Sequence, residues 1–240
     1  MFVHYRSKGI VINKADRGEA DQLFSVYTKS FGRVEILGKA IRRISSKLRP
    51  GIDIFYLVEI EFIQGKGYKI LTDATPINKF KNLRKSLKRL LIAYRIAEVS
   101  DKLIKGEEKD KKIWDLTLEV FEKLDEESPK LKDLDLLFCY FLFDFLSELG
   151  YEIELYHCVS CQKKLSPGQL FFSPESGGIV CSNCIKKISK TRSIEVNMVK
   201  ILRLILKRDW ETLDRIKLES TDKKLLRIVC RQYLLHALSS

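Results

Sequence analysis

Four cysteines have the clearest chemical spacing in this chain. They form two pairs, Cys158 with Cys161 and Cys181 with Cys184, each with two intervening residues, and 19 residues separate the pairs. A Cys-x2-Cys turn presents two thiolates to one metal ion, and two such turns complete a tetrahedral site. We therefore predict one structural Zn²⁺ per chain, bound by these four thiolates.

Other interpretations of the cysteines are weaker. A disulfide framework is typical of secreted chains, and the first residues, MFVHYRSKGI, contain no long apolar segment of a secretory signal. Thioredoxin-like chemistry needs one Cys-x2-Cys beside a βαβ unit, and no such pattern precedes either pair. His157 adjoins the first pair, but four thiolates make it superfluous as a ligand. Cys139 and Cys230 lie on apolar helix faces, so we expect them in a core.

An excess of positive charge is the second chemical signal. The 240 residues carry 44 Lys+Arg and 32 Asp+Glu, which gives a formal charge of +12. Two stretches lack acidic residues, one between Glu35 and Asp53 and one between Asp73 and Glu98. Such stretches favour a polyanionic partner, although a solvated helix face and a mobile loop also explain them. The predicted nucleic-acid contacts are Lys39, Arg42, Arg43, Lys47, Arg49, Lys81, Arg84, Lys85, Lys88 and Arg89.

The first 75 residues alternate between apolar and polar side chains, as strands do. The predicted strands are Val3–Asn13, Gln22–Thr28, Arg33–Leu37, Ile52–Ile63 and Tyr68–Asp73. The fourth alternates most clearly, and Gly65-Lys66-Gly67 predicts a tight turn into the fifth. Five strands with one long basic connection predict an OB-type β-barrel, which binds oligonucleotides across one face and its loops. An SH3-like barrel is the alternative. Six aromatic residues are candidates for base stacking, although most are expected in the core: Tyr5, Phe24, Tyr27, Phe55, Tyr56 and Tyr68.

After Pro76 the apolar residues recur with a helical period. The first predicted helix carries an apolar stripe of Phe80, Leu83, Leu87, Leu90, Tyr94 and Ala97, extended by Leu91, Leu103 and Ile104. Further helices are predicted over Ile113–Leu124, Leu131–Leu149, Val196–Arg208 and Asp222–Leu238, with Leu131–Leu149 as a buried centre.

These elements predict an α+β multidomain protein. An OB-fold-like barrel spans residues 1–78, and a helical domain spans 79–154 and 193–240. A zinc-binding insertion, residues 155–192, interrupts the helical domain and contains a short strand at Leu170–Ser173.

Residues suited to catalysis are not grouped in a known pattern. His4, His157 and His236 lie outside any HExxH or triad-like setting, and GxSxG is absent. The segment Gly32–Ala40 approximates a P-loop, but it has one intervening residue too many and Ala where Ser or Thr must reach magnesium. No apolar run has the length of a membrane span. We therefore expect a non-enzymatic cytoplasmic protein with no membrane contact and no small-molecule substrate.

Several short segments occur in the order and spacing of a known family. They are Lys8–Val11, Gly18–Asp21, Tyr27–Gly32, Gly38–Arg43 and Ser46–Pro50, followed by the paired cysteines. With these segments the chain resembles the bacterial recombination mediator family RecO over essentially its full length. Two positions depart from the family pattern: Arg17 replaces a frequent aromatic residue, and Gln162 replaces a frequent glycine.

The resemblance implies a mediator of DNA repair and homologous recombination, associated with the bacterial nucleoid. Such proteins bind single- and double-stranded DNA and anneal complementary strands. With the partner RecR they assist recombinase loading on DNA coated by single-stranded-DNA-binding protein (SSB), whose acidic C-terminal tail they contact. From the residues alone, an RNA-binding or ribosome-associated module and a protein-interaction adaptor remain open.

Overall fold

A computed structural model describes residues 3–104, 106–127 and 133–239. The chain forms two compact units, Met1–Glu127 and Ser128–Ser240. The first unit contains a β-barrel and three helices, and the second contains a small sheet and four helices, as counted over the described ranges.

Five strands of the first unit close into a barrel in the order β1–β2–β3–β5–β4. Their bounds are β1 His4–Arg17, β2 Asp21–Thr28, β3 Gly32–Gly38, β4 Leu57–Gln64 and β5 Lys69–Asn78. Strands β3 and β5 are parallel, and the other neighbouring pairs are antiparallel. This topology confirms the prediction of an OB-type barrel.

The interior of the barrel is filled by its own apolar side chains. The buried cluster consists of Val11, Phe24, Val26, Val34, Ile36, Ile41, Ile52, Val58, Ile60, Phe62, Leu71 and Ala74. Most of these residues lie at alternate strand positions, which point to one side of a sheet. The alternation in the sequence therefore marks the barrel core.

The prediction that the fourth strand begins at Ile52 was wrong. Arg49–Gly51 forms a short 3-10 helix, and β4 begins only at Leu57. The segment between them turns, because Asp53 accepts hydrogen bonds from the N–H of Ile54 through its side chain (2.8 Å) and from that of Tyr56 through its carbonyl (3.0 Å). A short polar side chain that binds nearby backbone groups competes in this way with a strand ladder.

The first helix of the prediction is interrupted. Helix α1 covers Lys81–Lys85 and α2 covers Leu87–Leu103, because Ser86 between them has an extended backbone and its side chain caps α2. The predicted apolar stripe is therefore wrong for three residues that the structure exposes, Leu87, Leu91 and Tyr94. The buried face of α2 instead consists of Ile92, Ala93, Ile96, Ala97, Val99 and Ser100.

The remaining helix of the first unit is α3, Lys111–Asp125, and it contains the predicted Ile113–Leu124. Asp110 caps its first turn by accepting hydrogen bonds from the backbone N–H groups of Lys112 and Ile113, at 2.8 and 3.1 Å. A side-chain oxygen at this position satisfies donors that have no partner within the helix.

The second unit combines four helices with a three-stranded sheet in the order β7–β6–β8. The helices are α4 Leu134–Glu148, α5 Val196–Leu206, α6 Trp210–Arg215 and α7 Ser220–Ser239, and the strands are β6 Leu170–Ser173, β7 Gly178–Cys181 and β8 Arg192–Ile194. The predicted residues 131 and 132 of the third helix lie outside the described residues. Helix α4 is buried over most of its length, as predicted. No helix in the described ranges is long and apolar enough to cross a membrane.

A disulfide joins Cys139 in α4 to Cys230 in α7, with their Cα atoms 6.2 Å apart. Both residues are buried, which confirms the expectation of a core position, but their spacing in the sequence gives no sign of the bond. The two cysteines are 91 positions apart, so only the packing of α4 against α7 brings them together.

Candidate nucleic-acid interface and metal centre

The structure brings the four paired cysteines together. Their sulfur atoms lie within 4.8 Å of one another, and the Sγ atoms of Cys161 and Cys181 are 3.9 Å apart. In a tetrahedral site with metal–sulfur bonds of about 2.3 Å, the sulfurs lie about 3.8 Å apart. The four cysteines could therefore hold a metal ion. We call the segment 155–194, which carries them together with β6–β8, the cysteine ribbon.

Each pair lies on a tight turn closed by backbone hydrogen bonds. In the first turn the N–H of Gln162 donates to the carbonyl of Cys158 at 2.8 Å, and in the second the N–H of Cys184 donates to the carbonyl of Cys181 at 3.0 Å. Gln162 has a φ of 59°, in the left-handed region that favours glycine. A glycine would adopt this backbone without the strain that a side chain introduces.

The surroundings shift the pKa values of two of the thiols in opposite directions. Burial opposes ionisation of Cys158, but hydrogen bonds from the backbone N–H groups of Cys181, Cys161 and Ser160 outweigh it and lower the pKa to about 6. A hydrogen bond with Ser160 lowers the pKa of Cys184, but burial and the three neighbouring cysteines outweigh it and raise that pKa to about 11. A cation among the four sulfurs would stabilise all the thiolates together.

The first set of predicted nucleic-acid contacts lies on the segment between β3 and β4, residues 39–56, which we call the basic connection. Ile41 is buried in the barrel core, and Leu48 packs against that core. Between them two successive turns are closed by hydrogen bonds from Arg43 N–H to Ala40 C=O (3.1 Å) and from Ser46 N–H to Arg43 C=O (3.0 Å). The basic connection is therefore a folded loop attached to the barrel at two points.

The five cations of the basic connection differ in their partners. Lys39, Arg43 and Lys47 are exposed, and no ion pair or side-chain hydrogen bond holds them within the described ranges. Arg42 lies 3.3 Å from a carboxylate oxygen of Asp16, and Arg49 donates to the carbonyl of Arg42 at 3.4 Å. Three cations are thus free to meet a phosphate, and two also hold the loop.

The second set of predicted contacts also divides into exposed lysines and hydrogen-bonded arginines, although Lys85 donates to the side-chain oxygen of Asn82 at 3.3 Å. Lys81, Lys85 and Lys88 are exposed on α1 and α2. The guanidinium of Arg84 donates to the carbonyls of Lys79 and Ile54.

Arg89 also has a structural role. It donates to the carbonyls of Leu124 and Glu126, at 3.0 and 2.7 Å, beside the last turn of α3. A cation there satisfies carbonyls that lack partners within the helix. The charge of Arg89 remains, but its Nη1 group is already engaged by these two carbonyls.

One basic residue beside the barrel loops was missed by the sequence analysis. Arg17, at the end of β1, donates to the hydroxyl of Tyr68 at 2.5 Å, and its guanidinium lies 4.3 Å from the centre of that ring. This contact joins the β1–β2 and β4–β5 turns. The guanidinium of Arg42 donates to the carbonyl of Gly18 at 3.4 Å, which links the basic connection to the β1–β2 turn as well. The turns joined here are those that bind oligonucleotides in OB barrels. The available signal was a basic residue next to the turn glycine.

Most candidate aromatic residues belong to the core, as expected. Phe24, Tyr27 and Phe55 are buried. Tyr5, Tyr56 and Tyr68 are at least partly exposed and could meet a base.

Comparisons with known proteins agree along the whole chain. Residues 1–80 match the family model described as recombination protein O N terminal, and residues 84–240 match recombination protein O C terminal. A DNA repair protein RecO from Dehalococcoides mccartyi is 30% identical over 89% of this chain and 83% of its own length. Proteins of the same name from Roseiflexus sp. and Halalkalibacterium halodurans are 27% identical over 98% and 26% identical over 95% of this chain, covering 81% and 88% of their own lengths. With both halves matched in order, the chain belongs to the RecO family of DNA repair and recombination proteins.

Proposed function

We propose that this chain is a non-enzymatic recombination mediator that binds single- and double-stranded DNA through its first unit. The observation that carries the proposal is the basic connection, where Lys39, Arg43 and Lys47 are exposed without acidic partners in the described part of the chain. Unpaired surface cations bind phosphates with release of counterions. The barrel belongs to a fold that binds oligonucleotides, and membership of the family supports DNA as the polymer.

The DNA path extends from the basic connection to the first helices. Lys39, Arg43 and Lys47 make the first phosphate contacts, and Lys81, Lys85 and Lys88 add exposed charge on α1 and α2. The hydrogen-bonded arginines contribute mainly through their charge and by positioning the backbone; they are Arg42, Arg49, Arg84 and Arg89.

Annealing follows from this mode of binding. Phosphate contacts carry affinity but no sequence information, so they leave the base edges free to pair. Cations between two strands reduce the repulsion of their phosphates, and no catalytic group is needed. Partnership with RecR and contact with the acidic tail of SSB are proposed from membership of the family alone.

The metal proposed for the cysteine ribbon is Zn²⁺. Four thiolates are a preferred ligand set for structural zinc, and they leave no coordination position for water. The proposed ligands are Cys158, Cys161, Cys181 and Cys184, whose sulfur spacing fits a tetrahedral ion. The ion would stabilise the ribbon and take no part in a reaction.

The proposal is tested by fluorescence anisotropy with DNA and RNA oligomers of one sequence at matched salt. We expect the chain to bind DNA at least as tightly as RNA, and to accelerate annealing of complementary DNA strands with and without SSB. A strong preference for RNA would favour the RNA-binding alternative. No affinity for either polymer at low salt would leave the protein-interaction adaptor.

A further inference from the structure

The tip of the basic connection carries an isoleucine that is almost fully exposed. Ile44 has 95% of its surface accessible, more than any other large apolar side chain in the described ranges. Single apolar residues are common on protein surfaces and need no special explanation by themselves. The position of Ile44 among cations and at the apex of a turn is what distinguishes it.

The local fold separates Ile44 from its apolar neighbours. Ile41 and Leu48 on either side turn into the barrel, whereas Ile44 occupies the second position of the turn that runs from Arg43 to Ser46. Polar residues and glycine are usual in such turns. Because the loop is attached on both sides, the backbone that carries Ile44 has a defined position.

The anchoring of the basic connection to the β1–β2 turn fixes this position further. The N–H of Ala40 donates to a carboxylate oxygen of Asp21 at 2.7 Å, and the N–H of Arg42 donates to the carbonyl of Ala20 at 2.9 Å. Ile44 is therefore presented by a folded loop two residues after a backbone contact with the barrel.

The neighbours of Ile44 indicate what it would meet. Arg43 precedes it and Lys47 follows three residues later, both exposed and without an acidic partner in the described chain. A strand whose phosphates lie on these cations would bring its bases close to the aliphatic side chain. Proteins that deform nucleic acids insert apolar side chains of this kind between adjacent bases.

We propose that Ile44 is an unstacking wedge that enters between neighbouring bases of DNA bound by the basic connection. The inference rests on the proposed DNA binding and adds a role for a residue that carries no charge. A branched aliphatic side chain has no hydrogen-bonding group, so it separates bases without reading their sequence. Unstacking would open secondary structure in a single strand before a complementary strand pairs with it.

The test uses a single-stranded oligomer with one 2-aminopurine, whose fluorescence rises when it loses its stacked neighbours. Saturating wild-type protein is expected to raise the signal, and Ile44→Ser should remove at least half of the rise. Binding affinity should change by less than about threefold and the salt dependence should stay the same, since both depend on the cations. Ile44→Leu should retain most of the rise.

The matched control is Ile77→Ser, which removes another exposed isoleucine of the first unit, 47% accessible in β5. It should leave the fluorescence rise intact. If wild type binds DNA but Ile44→Ser gives the full rise, or if the control loses as much as Ile44→Ser, the wedge is wrong and the proposed function stands. If wild type binds no DNA at low salt, the proposed function itself fails.

Discussion

The barrel and the cysteine ribbon are both small β structures, but they differ in the apolar packing that surrounds their candidate sites. The barrel closes five strands around twelve buried side chains. The ribbon has strands of four, four and three residues, and its buried cluster consists of Cys158, Val180 and Cys184. Apolar packing around the thiols is therefore limited, although Phe172 and Ile179 are also fully buried in the ribbon. We expect the proposed metal ion to supply much of the stability of the region around the thiols.

This difference determines how each region should respond to substitutions. In the proposed metal site of the ribbon each cysteine supplies one of four ligands, so we expect the loss of one thiolate to open the coordination sphere. In the barrel the core sets the shape, while the proposed affinity of the basic connection for DNA comes from several separate cations whose contributions accumulate. The ribbon should therefore respond to single changes in an all-or-none manner, and the DNA interface should respond gradually.

The largest effect is expected from removal of the metal. Chelation, or Cys158→Ser, should eliminate the one bound zinc expected per chain and unfold the ribbon, because structural zinc sites contribute on the order of 10 kcal/mol. Elemental analysis measures the metal, and hydrogen exchange measures protection of residues 155–194. The barrel strands should keep their protection.

Ser182→Ala provides the control for this substitution, since Ser182 lies between the cysteines of the second pair and is exposed. It should keep the metal and the protection of the ribbon. A Cys158→Ser protein that retains a full equivalent of zinc and an intact ribbon would contradict the assignment of the ligands.

The second largest effect is expected from a substitution in the barrel core, which should destabilise the barrel and leave the ribbon unchanged. Phe62→Ala removes a ring that is 1% exposed and contacts the rings of Tyr5 and Phe31, so it should destabilise the barrel by about 3–5 kcal/mol. Denaturant unfolding and hydrogen exchange of β1–β5 measure the loss, while zinc content should not change. Leu91→Ala, at an exposed position of α2, should cost less than about 0.5 kcal/mol. Equal losses for the two variants would refute the assigned core.

A smaller effect is expected at the cap of α3. Asp110→Ala removes the acceptor of two backbone N–H groups and should cost about 1 kcal/mol, whereas Asp110→Asn keeps an acceptor and should cost less. The two variants are compared by denaturant unfolding. If the asparagine variant is as unstable as the alanine variant, the hydrogen bonds do not explain the role of Asp110.

The smallest change in stability is expected for the basic connection. Arg43→Gln with Lys47→Gln removes two exposed charges that have no acidic partner in the described ranges, so the free energy of unfolding should change by less than about 0.5 kcal/mol. Thermal unfolding provides the measurement. A larger loss would mean that these side chains support the loop as well as any bound DNA.

The sequence was sufficient to predict those parts of the structure that depend on a local pattern of residues. Strand alternation identified the barrel, and the paired Cys-x2-Cys spacing identified the cluster of thiols. It was insufficient where tertiary contacts decide. A turn at Asp53 lies where the start of β4 was predicted. The break at Ser86 divides the predicted helix, and the buried face of α2 differs from the predicted face.

Hydrogen bonds and disulfides between residues that are distant in the sequence could not be predicted either. Charge alone did not distinguish the exposed Lys47 from Arg89, whose Nη1 group donates to two carbonyls at the end of another helix. The contact between Arg17 and Tyr68 and the bond between Cys139 and Cys230 likewise join residues far apart in the chain.

The most direct test of the account is the salt dependence of DNA binding by wild type, by Arg43→Gln with Lys47→Gln, and by Lys8→Gln with Lys29→Gln. The last variant removes the same charge, but Lys29 lies beyond the opposite end of β2 and its N–H contacts Lys8. With single-stranded DNA, each lost phosphate contact reduces the slope of log affinity against log salt by about 0.7. We predict a reduction of about 1.4 for the Arg43 and Lys47 variant and no reduction for the control. An unchanged slope in the first variant would contradict the assignment of the basic connection as the DNA-binding loop.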